Sequence, residues 1–103
     1  MTNNRLFFSH SLATYGTEVE SACLGWLHEH YPGCHIINPK YIQITEDIAT
    51  PADFNRMMAD YILPIVRSCH TVTFYKDGSY SPGVDAEVEE AKRQGLAVVE
   101  IRL

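Results

Sequence analysis

Ser81-Pro82-Gly83-Val84-Asp85-Ala86-Glu87-Val88-Glu89-Glu90 reads as the opening of a helix. Serine is a favoured N-cap, proline fits the first helical position, and glycine next to it lets a ligand approach the main chain closely. Such an opening points bare N–H groups outward and is a natural anion site. At 100° per residue Val84, Val88 and Ala91 form an apolar stripe, with Asp85, Glu89, Glu90, Lys92 and Arg93 off it. Glu87 is the one charged residue within the stripe. Taken alone it fits a bland role, since acids are favoured in the first turns of a helix by the dipole.

Gly95 ends this helix, and the apolar run Leu96 to Ile101 follows as a strand. The same helix-then-strand alternation recurs upstream. Arg5 to Ser9 reads as a buried central strand, and Ser9 to Thr17 as a polar turn. Thr17 and Glu20 are spaced as a capping box for a helix that runs to about Tyr31, with Val19, Cys23, Trp26, Leu27 and His30 at helical spacing. Cys34 to Ile37 forms a second strand, closed by Asn38-Pro39. The stretch from Lys40 to Thr50 has no clear period and reads as a loop that folds over something. Thr50 starts another helix with Phe54, Met58, Tyr61, Ile62 and Ile65 on its apolar face, and Pro64 is expected to kink or end it. Thr71 to Tyr75 is a third strand, followed by the turn signal Lys76-Asp77-Gly78.

The order β-α-β-α-β-α-β, with long crossovers, implies one α/β domain over residues 1–103. The expected architecture is a small Rossmann- or flavodoxin-like three-layer sandwich. Its parallel sheet should have four or five strands in the order 2-1-3-4.

With 103 residues, 46% hydrophobic and 20% charged, the chain has the composition of a soluble globular domain. The formal net charge of −5 and the scattered lysines and arginines disfavour a nucleic-acid duplex or a membrane surface as partner. Cys23, Cys34 and Cys69 are widely spaced and set among apolar residues, as reduced thiols of a cytoplasmic protein would be. No leader segment or membrane span is expected. No cofactor or metal is expected either. Cys-x-x-Cys is absent, His28 and His30 do not share a helix face, and neither phosphate-binding glycine motif occurs. His35 and His70 read as residues at the edge of the core.

In a parallel sheet, ligands bind beyond the carboxyl ends of the strands. Phe8, Ser9, His10 and Ser11 end the first strand, Asn38 ends the second, and Lys76 through Glu87 follow the third. Two helix starts flanking one crevice, with Ser9, Ser11 and Gly16 at one and Ser81 and Gly83 at the other, suit a phosphate or sugar. A carboxylate beside that crevice suits covalent catalysis at an anomeric carbon, which also needs a group to protonate the departing base. Asp60 is the candidate for that role, with His10 and Asp77 as alternatives, and Asp60 also fits a solvated helix residue.

Ser81-Pro82-Gly83-Val84-Asp85-Ala86-Glu87, the turn Phe7-Phe8-Ser9-His10-Ser11 and the strand Ala97-Val98-Val99 together resemble the nucleoside 2-deoxyribosyltransferase superfamily, which includes the 2-deoxynucleoside 5-phosphate N-hydrolases. The resemblance implies that Glu87 attacks the anomeric carbon and that Ser9, Ser11, Ser81 and Gly83 position the 5-phosphate or hydroxyl. It also implies that Tyr15 and Tyr41 stack on or cover the base, in a homodimer or larger homo-oligomer. The chain departs from the family at His10, where smaller residues are frequent, and at Cys69-His70, where an acid is frequent. These departures suit a second expectation, a non-catalytic nucleotide or nucleotide-sugar binding module on the same fold.

Overall fold

In the computed structural model, residues 4–44 and 47–103 are described. Strand β1, Arg5–Ser9, places Leu6 and Phe8 on one face of the sheet and Phe7 on the other, because successive side chains alternate. All three are fully buried, so β1 must be covered on both sides. It pairs in parallel with β2, His35–Ile37, and with β3, Thr71–Phe74, while β3 pairs in parallel with β4, Ala97–Glu100. The sheet therefore has four strands in the expected order, β2-β1-β3-β4.

Helix α1, Glu18–His30, covers one face, where Cys23 and Leu27 pack with Leu6, Phe8 and Ile101. The other face carries α2 and α3. Helix α2 comprises Pro51–Met57, a π-helical stretch Met58–Ile62 and a final α-helical turn Leu63–Arg67. Helix α3 spans Pro82–Arg93. On this face Met58, Ile62 and Val66 of α2 and Ala91 of α3 pack on Phe7 and Val72. A fully buried Phe, Val, Ile or Met side chain contributes about 1.5–3 kcal/mol relative to leaving it exposed.

Local chemistry explains where the elements begin. Thr50 accepts from the Asp53 N–H at 3.1 Å while Asp53 accepts from the Thr50 N–H at 3.1 Å, a complete capping box. Thr17 caps α1 by accepting from the Glu20 N–H, but Glu20 does not close the box. Its carboxylate instead accepts from the Gly16 N–H at 3.2 Å and meets His10, so Glu20 is buried while Val19 is exposed. Gly95 sits at φ +71, the left-handed conformation that lets the chain leave α3 for β4.

Several expectations need correction. Pro64, by contrast, behaves as expected: it stands in the last turn of α2, which ends at Arg67. The π-helical widening lies immediately before it, where a proline without an N–H disturbs the i to i−4 ladder. Glu90 is buried, not off the apolar stripe. Its carboxylate accepts from Gln94 at 2.9 Å and lies 3.3 Å from Arg93 and 3.9 Å from Arg67. Cys34 precedes β2 and Tyr75 follows β3, which shortens both strands by one residue. In the stretch after Asn38, Pro39–Tyr41 forms a 3-10 turn, and Thr45 and Glu46 lie outside the described residues. Cys23, Cys34 and Cys69 are all free thiols. Among the described residues no helix is long and apolar enough to cross a membrane.

Candidate active site

A cavity of about 450 Å³ opens beyond the carboxyl ends of β1 and β3. That volume is in the usual range for a small-molecule site, about 300–1,000 Å³. One wall is the turn after β1, with His10, Ser11, Leu12, Ala13 and Tyr15, and the facing wall is Ser79 through Val84 with Glu87 of α3. Parallel pairing sets these two walls side by side, because β1 and β3 are neighbours and end at the same level, Ser9 opposite Phe74.

Glu87 is the sole acidic residue among the described residues of the lining. It is only 6% exposed, and Ser9 Oγ, at the end of β1, donates to its Oε1 at 2.5 Å. Burial pushes its pKa up from 4.5 to about 7, against the opposing pull of the Ser9 bond. A carboxylate so placed switches between charged and neutral near neutral pH, as groups at functional sites often do. Tyr15 shares the wall. Burial first, then the charges of Glu87 and Glu20, push its phenol up to about 12, so its hydroxyl remains a donor at neutral pH.

Behind this wall His10 is buried and stacked on Phe8, with ring centroids 3.8 Å apart and planes within 9°. Its Nδ1 lies 3.1 Å from the Phe8 carbonyl oxygen and its Nε2 lies 2.8 Å from Glu20 Oε2. Burial works to raise the pKa of Glu20. The bonds to His10 and Gly16, with the charge of Lys40 at 3.5 Å, outweigh it and leave Glu20 below the ordinary carboxylate range. Nothing in the sequence spacing alone ties Glu20 to His10, although an acid three residues after an N-cap was a signal for one of the pair.

The rim of the cavity is fastened by Asp77. Ser11 and Thr14 donate to its Oδ2, Thr14 across 3.0 Å, while the Ser79 N–H and Oγ donate to its Oδ1 at 2.9 and 2.5 Å. The hydroxyl of Ser11 foremost, then those bonds from Ser79, hold Asp77 well below the usual carboxylate range. The turn after β1 is thereby tied to the turn after β3. Gly78 makes the second turn possible at φ +86.

The remaining expected residues divide by position. Ser81 occupies the N-cap position of α3, but its hydroxyl makes no capping bond and lies 3.2 Å from that of Ser79 on the cavity wall. Gly83 also lines the cavity, and a Cβ added there would meet only the Phe54 ring at an ordinary 3.9 Å. Packing alone therefore does not demand glycine at that position. Gly16 shapes the turn at φ +73 and donates to Glu20, outside the lining. Asn38 is buried and caps the 3-10 turn by accepting from the Lys40 N–H at 3.0 Å. Tyr41 is exposed and Asp60 is exposed on the π-helical stretch; neither lines the cavity. His10 does line it, whereas Asp77 stands at its rim.

The far side is legible in the sequence only in part, as an apolar helix face at Phe54, Met58 and Ile62 and as a loop that folds over something from Lys40 to Thr50. Ile42, Ile44, Phe54, Met57, Met58 and Ile62 close the cavity there, and Lys40, Leu12 and Tyr80 stand at its edges. Tyr80 is 90% exposed and Leu12 79% exposed. Phe54, Met57, Met58 and Ile62 pack in the core as well as lining the cavity, so their apolar character alone does not distinguish the two. Among the described residues, no group of three or more His, Cys, Asp and Glu side chains is arranged to hold a metal ion.

No family model and no curated protein matches the chain. Among solved structures, the fold is similar to a conserved protein from Enterococcus faecalis V583, with a TM-score of 0.67 at 14% identity. The match covers 96% of this chain and 63% of that one. At that identity the likeness shows a shared parallel α/β fold.

Proposed function

We propose that the protein cleaves the N-glycosidic bond of a nucleoside, deoxynucleoside or nucleoside 5-monophosphate through a covalent glycosyl-Glu87 intermediate. The observation that carries this reading is the Glu87 carboxylate, buried at the wall of a small-molecule cavity and held by Ser9 at 2.5 Å. In the first step a carboxylate oxygen of Glu87 bonds to C1 of the sugar while the bond from C1 to the base nitrogen breaks. The bonding pair leaves with the base, which takes up a proton from water. Water or a second base then displaces the sugar from Glu87, with net retention at C1. The start of α3, with Ser79, Ser81 and Ser11, would hold the 5-phosphate or hydroxyl.

Base release is the test. A panel of nucleosides, deoxynucleosides and their monophosphates is incubated with wild type and with Glu87→Ala, and free base is followed by chromatography. Release by wild type and not by the variant supports the assignment; equal release by both sinks it.

A second reading is favoured by one observation. Asp60 is outside the cavity, Asp77 is held as an acceptor, and His10 is engaged by Glu20 and the Phe8 carbonyl, which leaves none of the three free to protonate a base. A non-catalytic nucleotide or nucleotide-sugar binding module would need no such acid. It would show a nucleotide-dependent rise in melting temperature without base release.

A further inference from the structure

The amino end of the sheet carries a second cavity, of about 570 Å³, lined by Arg5, Gly33, Cys34 and His35. Arg5 and Ser9 are the first and last residues of β1, so at about 3.3 Å per residue the two ends lie roughly 13 Å apart. The register of β1 with β2 sets Arg5 opposite His35.

A half-buried guanidinium needs an anion or a full set of acceptors, because leaving a buried charge unpaired is costly. Four of the five arginines have a carboxylate: Arg56 has Asp53, Arg67 and Arg93 share Glu90, and Arg102 has Glu100. Arg5 has none among the described residues, and its Nε is buried without a hydrogen-bond partner there. The groups beside it do not answer the charge. His70 Nδ1 accepts from the Arg5 main-chain N–H at 3.2 Å, which engages that nitrogen with the backbone. Burial pushes the pKa of the neighbouring Cys69 up against the pull of Arg5, so it stays an uncharged thiol at neutral pH.

We infer that this cavity is a second binding site, for a small phosphate or phosphate monoester held by the Arg5 guanidinium with the His35 ring beside it. It stands apart from the nucleoside reading of the Glu87 cavity. The planar fork of arginine engages two phosphate oxygens at once, and no acidic side chain among the described lining residues competes for it. Gly33 presents bare backbone on the wall, and the volume leaves room for a small organic group on the phosphate. The formal net charge of −5 gives an anion no long-range attraction, so binding depends on these local donors and is expected in the millimolar range.

Cys34 is a reporter placed by the fold, because it lines this cavity while Cys23 and Cys69 are buried. Wild type is alkylated with iodoacetamide as inorganic phosphate is titrated to about 20 mM, several times a millimolar dissociation constant, with sodium chloride at matched ionic strength as control. Mass spectrometry follows the peptide that carries Cys34. Phosphate is expected to slow its alkylation about fivefold or more, and chloride to leave it unchanged. Phosphate at the start of α3 sits at the far end of the sheet and does not shield Cys34. Arg5→Gln should cut the protection to about twofold or less. His35→Asp should do the same, since it sets a carboxylate opposite Arg5 at an exposed position. It replaces Arg5→Gln if that variant opens the fold, seen as alkylation of Cys23 and Cys69. Absence of protection in wild type, equal protection by chloride, or protection unchanged in a folded variant overturns the inference.

Discussion

Ser9 Oγ and Glu87 Oε1 lie 2.5 Å apart although 78 positions separate them in the chain. The contact exists because β1 and α3 are brought together at the carboxyl end of the sheet, and it favours the ionised form of the candidate nucleophile against the larger opposing effect of burial. A nucleophilic carboxylate must be ionised, so base release should rise with pH through about 7, following Glu87. Ser9→Ala removes the bond that favours the ionised form. The midpoint of the pH–rate profile should then move upward, by about one unit if the bond is worth about 1.4 kcal/mol. A profile that stays in place would separate Ser9 from the titration.

Burial of Glu87 also makes a statement about stability. In the unfolded chain it ionises near 4.5 and in the fold near 7. The fold therefore binds the proton more tightly. Its contribution is whole below about pH 4.5 and is lost as pH rises to about 7, a change of about 3 kcal/mol. Glu87→Gln cannot ionise and should gain on wild type across that window. Thermal denaturation at pH 4.5 and pH 7.5 measures the two gaps, and equal gaps would contradict the buried placement.

Glu20 and His10 form a buried pair at 2.8 Å, and Glu20 also receives the Gly16 N–H. Removing one partner of such a pair leaves the other without its buried hydrogen bond, at a cost of about 1–3 kcal/mol. Glu20→Ala should lower urea stability by that order. Lys40, on the cavity edge, would lose its 3.5 Å partner in the same variant.

Asp77→Asn tests the fastening of the rim. The variant weakens bonds from Ser11, Thr14 and Ser79 and should cost about 1 kcal/mol, a modest figure because Asp77 is largely exposed. The depressed pKa of Asp77 means that its contribution is present above about 3.8 and lost as pH falls further. Urea titrations at pH 7 and at pH 2.5 should show the difference between variant and wild type shrinking at the lower pH.

The sheet order and the three helices were legible in the sequence, because apolar runs and helical spacing each leave a strong periodic trace. Glu87 was legible as the acid within an apolar stripe. Glu90 was not, since its burial depends on Arg67, which arrives from another helix, and on Gln94 a turn further along α3. The pairing of His10 with Glu20 was hidden for the same kind of reason: it needs the turn after β1 to fold back on α1. Ser81 had the identity of a cap, yet its backbone at φ −132 and ψ 74 is not in the extended conformation shown by the other capping residues Thr17 and Thr50. Phe54, Met58 and Ile62 read as the apolar face of a helix, and they touch both core and cavity, while Ile42 and Ile44 lay in the stretch read as a loop that folds over something.

The π-helical stretch Met58–Ile62 has one more consequence. Phe54, Met58, Ile62 and Val66 recur every four residues. In an ordinary α-helix of 3.6 residues per turn that spacing drifts steadily around the rod. A wider turn in the middle slows the drift, so cavity-facing Phe54 and core-facing Val66 share one seam. Deleting a single residue there would swing the amino-terminal half by roughly a quarter of a turn against the carboxyl-terminal half. The helix thus carries a natural dial, by which descendants of this chain could recut the shape of the cavity without rebuilding the sheet beneath it.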